Sequence, residues 1–323
     1  MVRWGIVGTG RIAHKFAKDL LGVHGAIPAA VASRSPAKAQ AFAEAYGISR
    51  AFGTYEDLAQ SQDVDVVYIA SPHSEHRSNT NLYLKNRIAV LCEKPIGIDM
   101  DEAKDMIQTA KQHNTFLMEA LWTRFMPGCH ALLDIIKDGK IGTIQFISAN
   151  FGFKAEADPT HRVLNPRLGG GALLDIGIYP AFLAYLIMGV PDHISAICKK
   201  GETGVDVSTD FTFSYSSGIE AKLYCTFEKT TSNEAIIKGT KGHIKIHSRF
   251  HEMPAFNLLD QKEGHKLFNF PRTSFGYNYE IEAVNDCILN NQKEHPQWTW
   301  QDSTNLMSIL DRTRKSAGIH YDL

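Results

Sequence analysis

Apolar and polar positions along this chain follow two different rhythms, and the change between them divides it. Apolar runs at 2–7, 27–32, 64–70 and 89–92, with shorter extended pieces at 51–52 and 115–118, predict strands. Between them, 11–21, 36–46, 55–59, 75–85 and 100–113 have helical spacing. Strands alternating with helices predict a parallel sheet covered on both faces. The pattern changes near Trp122. A helix ends over 134–138, and "DGKIGT" turns the chain. Beyond Thr143, β-like segments are predicted at 144–151, 193–199, 207–215, 219–226, 234–238 and 242–247. Turns such as "YSSGI" and "GTKGH" would join them as antiparallel hairpins. One helix, 172–188, interrupts the β region. Two more, near 277–290 and 301–316, close the chain, with Gly318 at the C′ position. The prediction is an α/β domain over 1–121, then an α+β domain over 122–323 on an open, mostly antiparallel sheet. The alternation in "FTFSY" and "AKLYCTF" predicts one apolar sheet face left uncovered by helices.

Composition narrows the class of protein. A length of 323 residues favours two domains, and 44% apolar with 21% charged residues is ordinary for a globular chain. A net charge of −1 supplies no field for nucleic acid or an acidic membrane. Five scattered cysteines without a C-x-x-C pair read as reduced thiols in a cytoplasmic protein. No basic region followed by an apolar stretch suggests a signal peptide, and the apolar run 181–190 is too short to span a bilayer. The fourteen histidines include no H-E-x-x-H or similar ligand spacing, so no metal is expected.

The first chemistry-bearing motif is "GIVGTGRIA". Gly8, Thr9, Gly10, Arg11, Ile12 and Ala13 fit G-x-G-x-x-G/A between a strand and a helix. Gly8 permits the tight turn. Gly10 lets a pyrophosphate approach the backbone. Ala13 keeps the helix near the sheet, and the helix N-terminus offers free N–H groups. The first domain is therefore read as a Rossmann dinucleotide-binding domain. An NAD site usually carries a carboxylate about 20 residues further on. This second strand ends instead in Ser33 and Arg34. A hydroxyl and a guanidinium suit a 2′-phosphate, so NADP(H) is expected over NAD(H), which stays possible. The alternative for Arg34 is a solvated surface residue.

Two further stretches carry candidate reactive groups. Glu93-Lys94-Pro95 follows a parallel strand, where ligands sit in open α/β sheets, and Lys94 could reach the nicotinamide side of a dinucleotide. Three glycines, Gly169, Gly170 and Gly171, lead into a largely apolar helix carrying Asp175 and Tyr179, four residues apart on one face. Two ionisable groups on a buried helix need a reason. The plainer alternative is a capping aspartate and a core tyrosine.

Taken with "ASPHSEH" (70–76), "EKP" (93–95), "GGGALLDIGIY" (169–179) and "GTKG" (239–242), the chain resembles the Gfo/Idh/MocA family of NAD(P)-dependent oxidoreductases along nearly its whole length. Tyr179, where many members have histidine, and "MEALWTRFMP" (118–127) are most similar to the branch of dimeric dihydrodiol dehydrogenases and NADP-dependent aldose 1-dehydrogenases. The resemblance implies Lys94 and Tyr179 as the polar centre of hydride transfer with a carbohydrate or cyclic vicinal diol. A free phenol titrates near 10, and an ammonium nearby would lower that. Either residue could be the base, while Asp175 would orient Lys94 or bind a substrate hydroxyl. Ser71, His73, His76, Glu93, Trp122 and Arg124 are further candidates for touching the dinucleotide. Trp122, Phe153 and Arg162 are candidates for facing substrate. Packing or loop anchoring is the alternative for His76, Trp122, Arg124, Phe153 and Arg162. The resemblance also implies a homodimer through the open sheet face. Two other functions share the fold: a dinucleotide-sensing regulator without turnover, which would need no intact Lys94, Asp175 and Tyr179, and a glycosidase using bound NAD, against which Tyr179 and the missing carboxylate count.

Overall fold

The computed structural model describes every residue except Ala157, Lys262, Glu263, Tyr321, Asp322 and Leu323. Its strands are β1 (Val2–Val7), β2 (Ala26–Ala32), β3 (Arg50–Phe52), β4 (Val66–Ile69), β5 (Ala89–Glu93), β6 (Leu117–Ala120), β7 (Ile144–Gly152), β8 (His193–Lys200), β9 (Asp206–Ser214), β10 (Glu220–Thr226), β11 (Ala235–Gly239), β12 (Gly242–Ile246), β13 (Ala255–Asp260) and β14 (Gly264–Asn269). Its α-helices are α1 (Arg11–Leu20), α2 (Pro36–Tyr46), α3 (Tyr55–Gln60), α4 (His76–Lys85), α5 (Met100–Gln112), α6 (Pro127–Lys137), α7 (Ile178–Met188), α8 (Asn278–Leu289) and α9 (Trp300–Ala317). The chain forms two compact units. One comprises Met1–Phe125 with Arg272–Thr304, the other Met126–Pro271 with Asn305–Leu323.

The first unit is the Rossmann domain. Its all-parallel sheet has the order β3-β2-β1-β4-β5-β6, so the chain reverses direction between β1 and β4. In such a sheet ligands bind beyond the carboxyl ends of the strands at that reversal. Strands β4, β5 and β6 are buried at every position, which explains their mostly apolar runs, broken only by Glu93 at the end of β5 and Glu119 in β6. The expected single boundary at 121/122 differs from the observed unit, because the segment 272–304 returns to this sheet. Asp19 on α1 accepts the backbone N–H of Phe275 (3.0 Å) and of Tyr277 (2.8 Å). Trp4 in β1 donates its indole N–H to Asn285 on α8 at 2.9 Å, and the Trp300 indole donates to the Leu117 carbonyl at 2.9 Å. Buried indoles need such acceptors.

The second unit is built on a sheet ordered β14-β13-β12-β11-β7-β10-β9-β8, antiparallel at every pairing except β7 with β10. Hairpin β13–β14 was not expected from the sequence. Strand β14 lies at the sheet edge with almost every side chain exposed, so it has no apolar face to produce a period. The expectation of an uncovered apolar face is also corrected. Phe211, Phe213, Ala221, Leu223 and Cys225 are buried under α7 and the turns before it. The opposite face is mixed: one row across neighbouring strands reads Thr212, Lys222, Ser148, Ile236 and Lys245, and Ile197, Leu259 and Leu267 are exposed on the same face. Side chains one residue apart point to opposite faces, and the apolar set belongs to the covered one.

The expected helix 172–188 is a π-helical stretch, Leu173–Gly177, followed by α7. Within Pro166–Met188 the chain is long and apolar enough to cross a membrane, more than the run 181–190 suggested. An 18-residue window of that stretch is 78% buried inside its own fold, as a core helix is. Cys92, Cys129, Cys225 and Cys287 are buried, and Cys198 is half-buried.

Glu280 on α8 is fully buried, and neither carboxyl oxygen has a hydrogen-bond partner among the described residues. Burial, then the charges of Glu93 and Asp19, push its carboxyl well above the glutamate range. The folded chain thus holds this proton more tightly than the unfolded chain. The associated stability is complete below the ordinary glutamate value and is lost as pH rises toward the folded one. That loss has a slope of up to about 1.4 kcal/mol per pH unit. Glu280→Gln removes it: thermal melts between pH 5 and 8 should show the wild-type midpoint falling relative to the variant as pH rises. Parallel curves would mean that Glu280 does not carry the extra proton.

Candidate active site

In the first unit the glycine motif lies at the carboxyl end of β1. Gly8 has φ +96°, and a Cβ there would sit 3.0 Å from the Ala70 carbonyl oxygen, so both conformation and space exclude a side chain. Gly10 differs. It is extended, and a Cβ there would meet nothing within 4 Å. The space above it is an open cradle. Helices α3 and α5 are capped by Thr54 and Asp99, whose side chains accept the N–H of Asp57 and Glu102. Helix α1 starts at Gly10 with no side-chain cap, so its first N–H groups remain available to phosphate oxygens. The cradle and the uncapped helix fit a dinucleotide pyrophosphate. Thr9 is half-buried, and its hydroxyl is 3.5 Å from that of buried Ser33; Arg11 is exposed and Ile12 half-buried.

Ser33 and Arg34 follow β2, with no carboxylate at its tip. Ser33 accepts the N–H of Ser35, and Arg34 projects into solvent beside the Tyr55 hydroxyl. Burial raises that phenol, and the guanidinium partly offsets the rise.

At the carboxyl end of β4, the Ser71 hydroxyl accepts from Asn79 at 3.0 Å. His76, fully buried at the start of α4, faces two carbonyls: Nδ1 is 2.8 Å from Pro95 O and Nε2 is 3.1 Å from Ser71 O. It ties the β4 loop to the turn after β5. His73, also buried, lies edge-on to it at 5.6 Å. Glu93 at the end of β5 is buried. It accepts the Tyr68 hydroxyl and, at 3.1 Å, the N–H of Lys94, and the Lys94–Pro95 peptide is cis. Trp122 is buried against Tyr277, ring centroids 5.1 Å apart. Arg124 donates its Nε to the Gln297 carbonyl at 3.0 Å, which makes it an anchor for the returning segment.

In the second unit, Asp175 is buried and gripped by Arg162, whose two terminal nitrogens lie 3.0 and 3.4 Å from its oxygens. The carboxylate is therefore engaged within its own unit by a half-exposed guanidinium, a partner the sequence did not assign to it. Asp206, fully buried, accepts the Leu173 N–H at 2.7 Å and so fixes the start of the π-helical stretch that carries Asp175. Single π turns occur frequently at functional sites. Tyr179 is buried with its ring against Phe151 (5.7 Å) and His251 (4.9 Å). Phe153 packs on Phe227 at 5.1 Å.

Sequence reading missed His251. It stacks on Phe151 at 4.3 Å, and its Nε2 lies 3.8 Å from Glu252, which Arg249 also holds. Its turn is flanked by Arg249 and Met253 at φ +64° and +45°, a conformation rare outside glycine. Neither feature leaves a trace in "RFHEMP". Among the described residues no three His, Cys, Asp or Glu side chains gather where they could hold a metal ion.

A glycine-rich βα turn on a doubly wound parallel sheet, followed by a unit with a mostly antiparallel sheet, defines a two-unit nicotinamide-dinucleotide oxidoreductase. The family models agree. Residues 2–121 match the oxidoreductase family with an NAD-binding Rossmann fold, and residues 130–245 match the GFO/IDH/MocA C-terminal domain. The chain belongs to the Gfo/Idh/MocA family, as a dehydrogenase. It is 36% identical to a trans-1,2-dihydrobenzene-1,2-diol dehydrogenase from Xenopus tropicalis, over 99% of each chain. Among solved structures it is similar to the 3-ketoreductase KijD10 from Actinomadura kijaniata, in complex with NADP and TDP-benzene. That match has a TM-score of 0.88 and 26% identity over 98% of each chain. It shares its fold with aldose-aldose oxidoreductase from Caulobacter crescentus, with a TM-score of 0.89 and 23% identity over 98% and 97% of the two chains.

The two glycines give a test of the cradle. Gly10→Val should leave the melting temperature unchanged and weaken dinucleotide binding by about tenfold or more, the scale of one lost close polar contact. Gly8→Val should lower the melting temperature. Fluorescence titration and thermal melts separate the two, and unaltered binding by the Gly10 variant would remove it from the cradle.

Proposed function

We propose that the chain is an NADP-dependent dehydrogenase that oxidises a CH–OH group of a small carbohydrate or a cyclic vicinal diol, or runs the reverse reduction. The observation that carries the cofactor half of this reading is the tip of β2. Exposed Arg34 and buried Ser33 stand where an NAD site would hold a carboxylate. A guanidinium there attracts a 2′-phosphate, whereas a carboxylate would repel it. The complex of NADP with the related 3-ketoreductase supports the same choice. The names of the relatives, a dihydrodiol dehydrogenase and an aldose-aldose oxidoreductase, support a diol or sugar substrate.

When bound, the dinucleotide supplies the hydride acceptor. The chain's own groups handle the proton and the orientation. In this reading Tyr179 takes the substrate hydroxyl proton as the carbon loses hydride and becomes a carbonyl, and Lys94 provides the positive charge that favours the phenolate. The Arg162–Asp175 pair offers guanidinium donors to a second substrate hydroxyl. Gly8, Thr9, Gly10, Arg11 and Ile12 hold the pyrophosphate side, while Ser71, His73, His76, Glu93, Trp122 and Arg124 line the rest of the dinucleotide path. Trp122 and Phe153 supply apolar surface toward the substrate. The reading also takes in a homodimer formed over the open face of the second sheet, and a cytoplasmic enzyme.

A panel of D-xylose, D-glucose, other aldoses and a trans-dihydrodiol, followed at the reduced-nicotinamide absorbance with NADP, tests the activity. Tyr179→Phe should lower kcat by about 10²- to 10⁴-fold, the usual weight of a positioned acid–base group; turnover at the wild-type rate would exclude it. Arg34→Ala should weaken NADP binding by about tenfold to a hundredfold and leave NAD binding nearly unchanged, as expected for one charge-assisted contact. Equal losses for both cofactors would defeat the 2′-phosphate assignment.

A further inference from the structure

Glu119 lies in β6, the strand next to β5, and is fully buried within the first unit. Its two oxygens do different things. Oε1 accepts the backbone N–H of Ile96 at 2.9 Å, two residues beyond Lys94. Oε2 accepts the indole N–H of Trp298 at 3.2 Å, from the segment that returns to this unit. The groups facing it are the Lys94 ammonium on the turn after β5, the Cys92 thiol on β5, and the Ser303 hydroxyl on α9. Of these Lys94 alone is a cation. The turn is therefore held on two sides: His76 grips the Pro95 carbonyl, and Glu119 grips the next N–H.

We propose that Glu119 is a positioning residue for Lys94: its carboxylate fixes the turn from which the lysine springs and places a negative charge within reach of the ammonium. This rests on Lys94 acting in catalysis as set out above. Glu119 is also poised to change state. Burial, opposed by the hydrogen bonds from Ser303, Ile96 and Trp298 and by the Lys94 charge, pushes its carboxyl up to about 7. Above that pH the carboxylate accepts both N–H groups and faces the ammonium. Below it one oxygen carries a proton, the charge disappears, and the hold on the turn weakens. Activity should therefore show an acid limb near neutrality that belongs to Glu119.

The test has one part that needs no turnover. The indole N–H resonance of Trp298, in ¹⁵N-labelled protein without cofactor, should titrate with a midpoint near 7. That titration should vanish in Glu119→Gln. In Lys94→Met the midpoint should rise, because the ammonium that favours the ionised carboxylate is gone. A midpoint unmoved by Lys94→Met would overturn the charge coupling. In the holoenzyme, Glu119→Gln should lower kcat by about tenfold to a hundredfold, the cost of a misplaced catalytic group. It should leave the substrate KM nearly unchanged and abolish the acid limb. Glu119→Asp keeps the charge on a shorter arm and should restore a titrating limb. A wild-type kcat and pH profile in Glu119→Gln, with Lys94→Met inactive, would overturn the positioning role while the function stands. Wild-type turnover in Lys94→Met would overturn the catalytic lysine, and the positioning role with it.

Discussion

The hydrogen bond between the Ile96 N–H and the buried Glu119 carboxyl is the constraint on which the first unit depends. It joins β5 to β6 beyond the point where backbone pairing ends at Glu93 and Ala120. Through its other oxygen the same carboxyl fastens Trp298. Asp19 does comparable work on α1, where it accepts two backbone N–H groups from the start of the returning segment. A buried carboxylate with donors on both oxygens can hold chain segments that no strand pairing connects. If one partner is removed, the cost is that of an unpaired buried polar group. The unit is therefore discontinuous in sequence for an electrostatic reason as much as an apolar one.

The edge of that unit that carries Lys94 is arranged in the same way. Tyr68 holds Glu93, Glu93 holds the N–H of Lys94, and His76 holds Pro95. The lysine sits on a turn whose backbone is gripped at successive residues. Preorganisation of this kind limits the reorganisation a reactive group must undergo. The second unit has its own version. Asp206 fixes the first N–H of the π-helical stretch, and Arg162 grips Asp175 within it. Tyr179 follows on α7, its ring against Phe151 and His251.

Membership of the Gfo/Idh/MocA family accounts for the pairing of the two architectures in one chain. It leaves substrate choice to the side chains, since one fold supports many chemistries. Under the proposed function, Arg34, Arg162 and Phe153 are the side chains that would make this chain's own selection. Each is held by neighbours in its own unit or, for Arg34, stands exposed at the end of β2.

The sequence by itself determined the strand and helix order of the Rossmann unit, the glycine turn, and the exposed cation after β2. These features depend on neighbours within a few residues: buried parallel strands read as apolar runs, and a tight turn demands glycine. It also marked Lys94, Asp175 and Tyr179 as residues needing an explanation. Tertiary structure alone decided that 272–304 belongs with the first sheet. It alone decided that Arg162 is the partner of Asp175, that His251 lies against Tyr179, and that Glu119 and Glu280 are buried. Those facts join residues separated by up to 281 positions, and no periodicity encodes them. Edge strand β14 escaped notice for a related reason: a strand that buries neither face leaves no pattern in its residues.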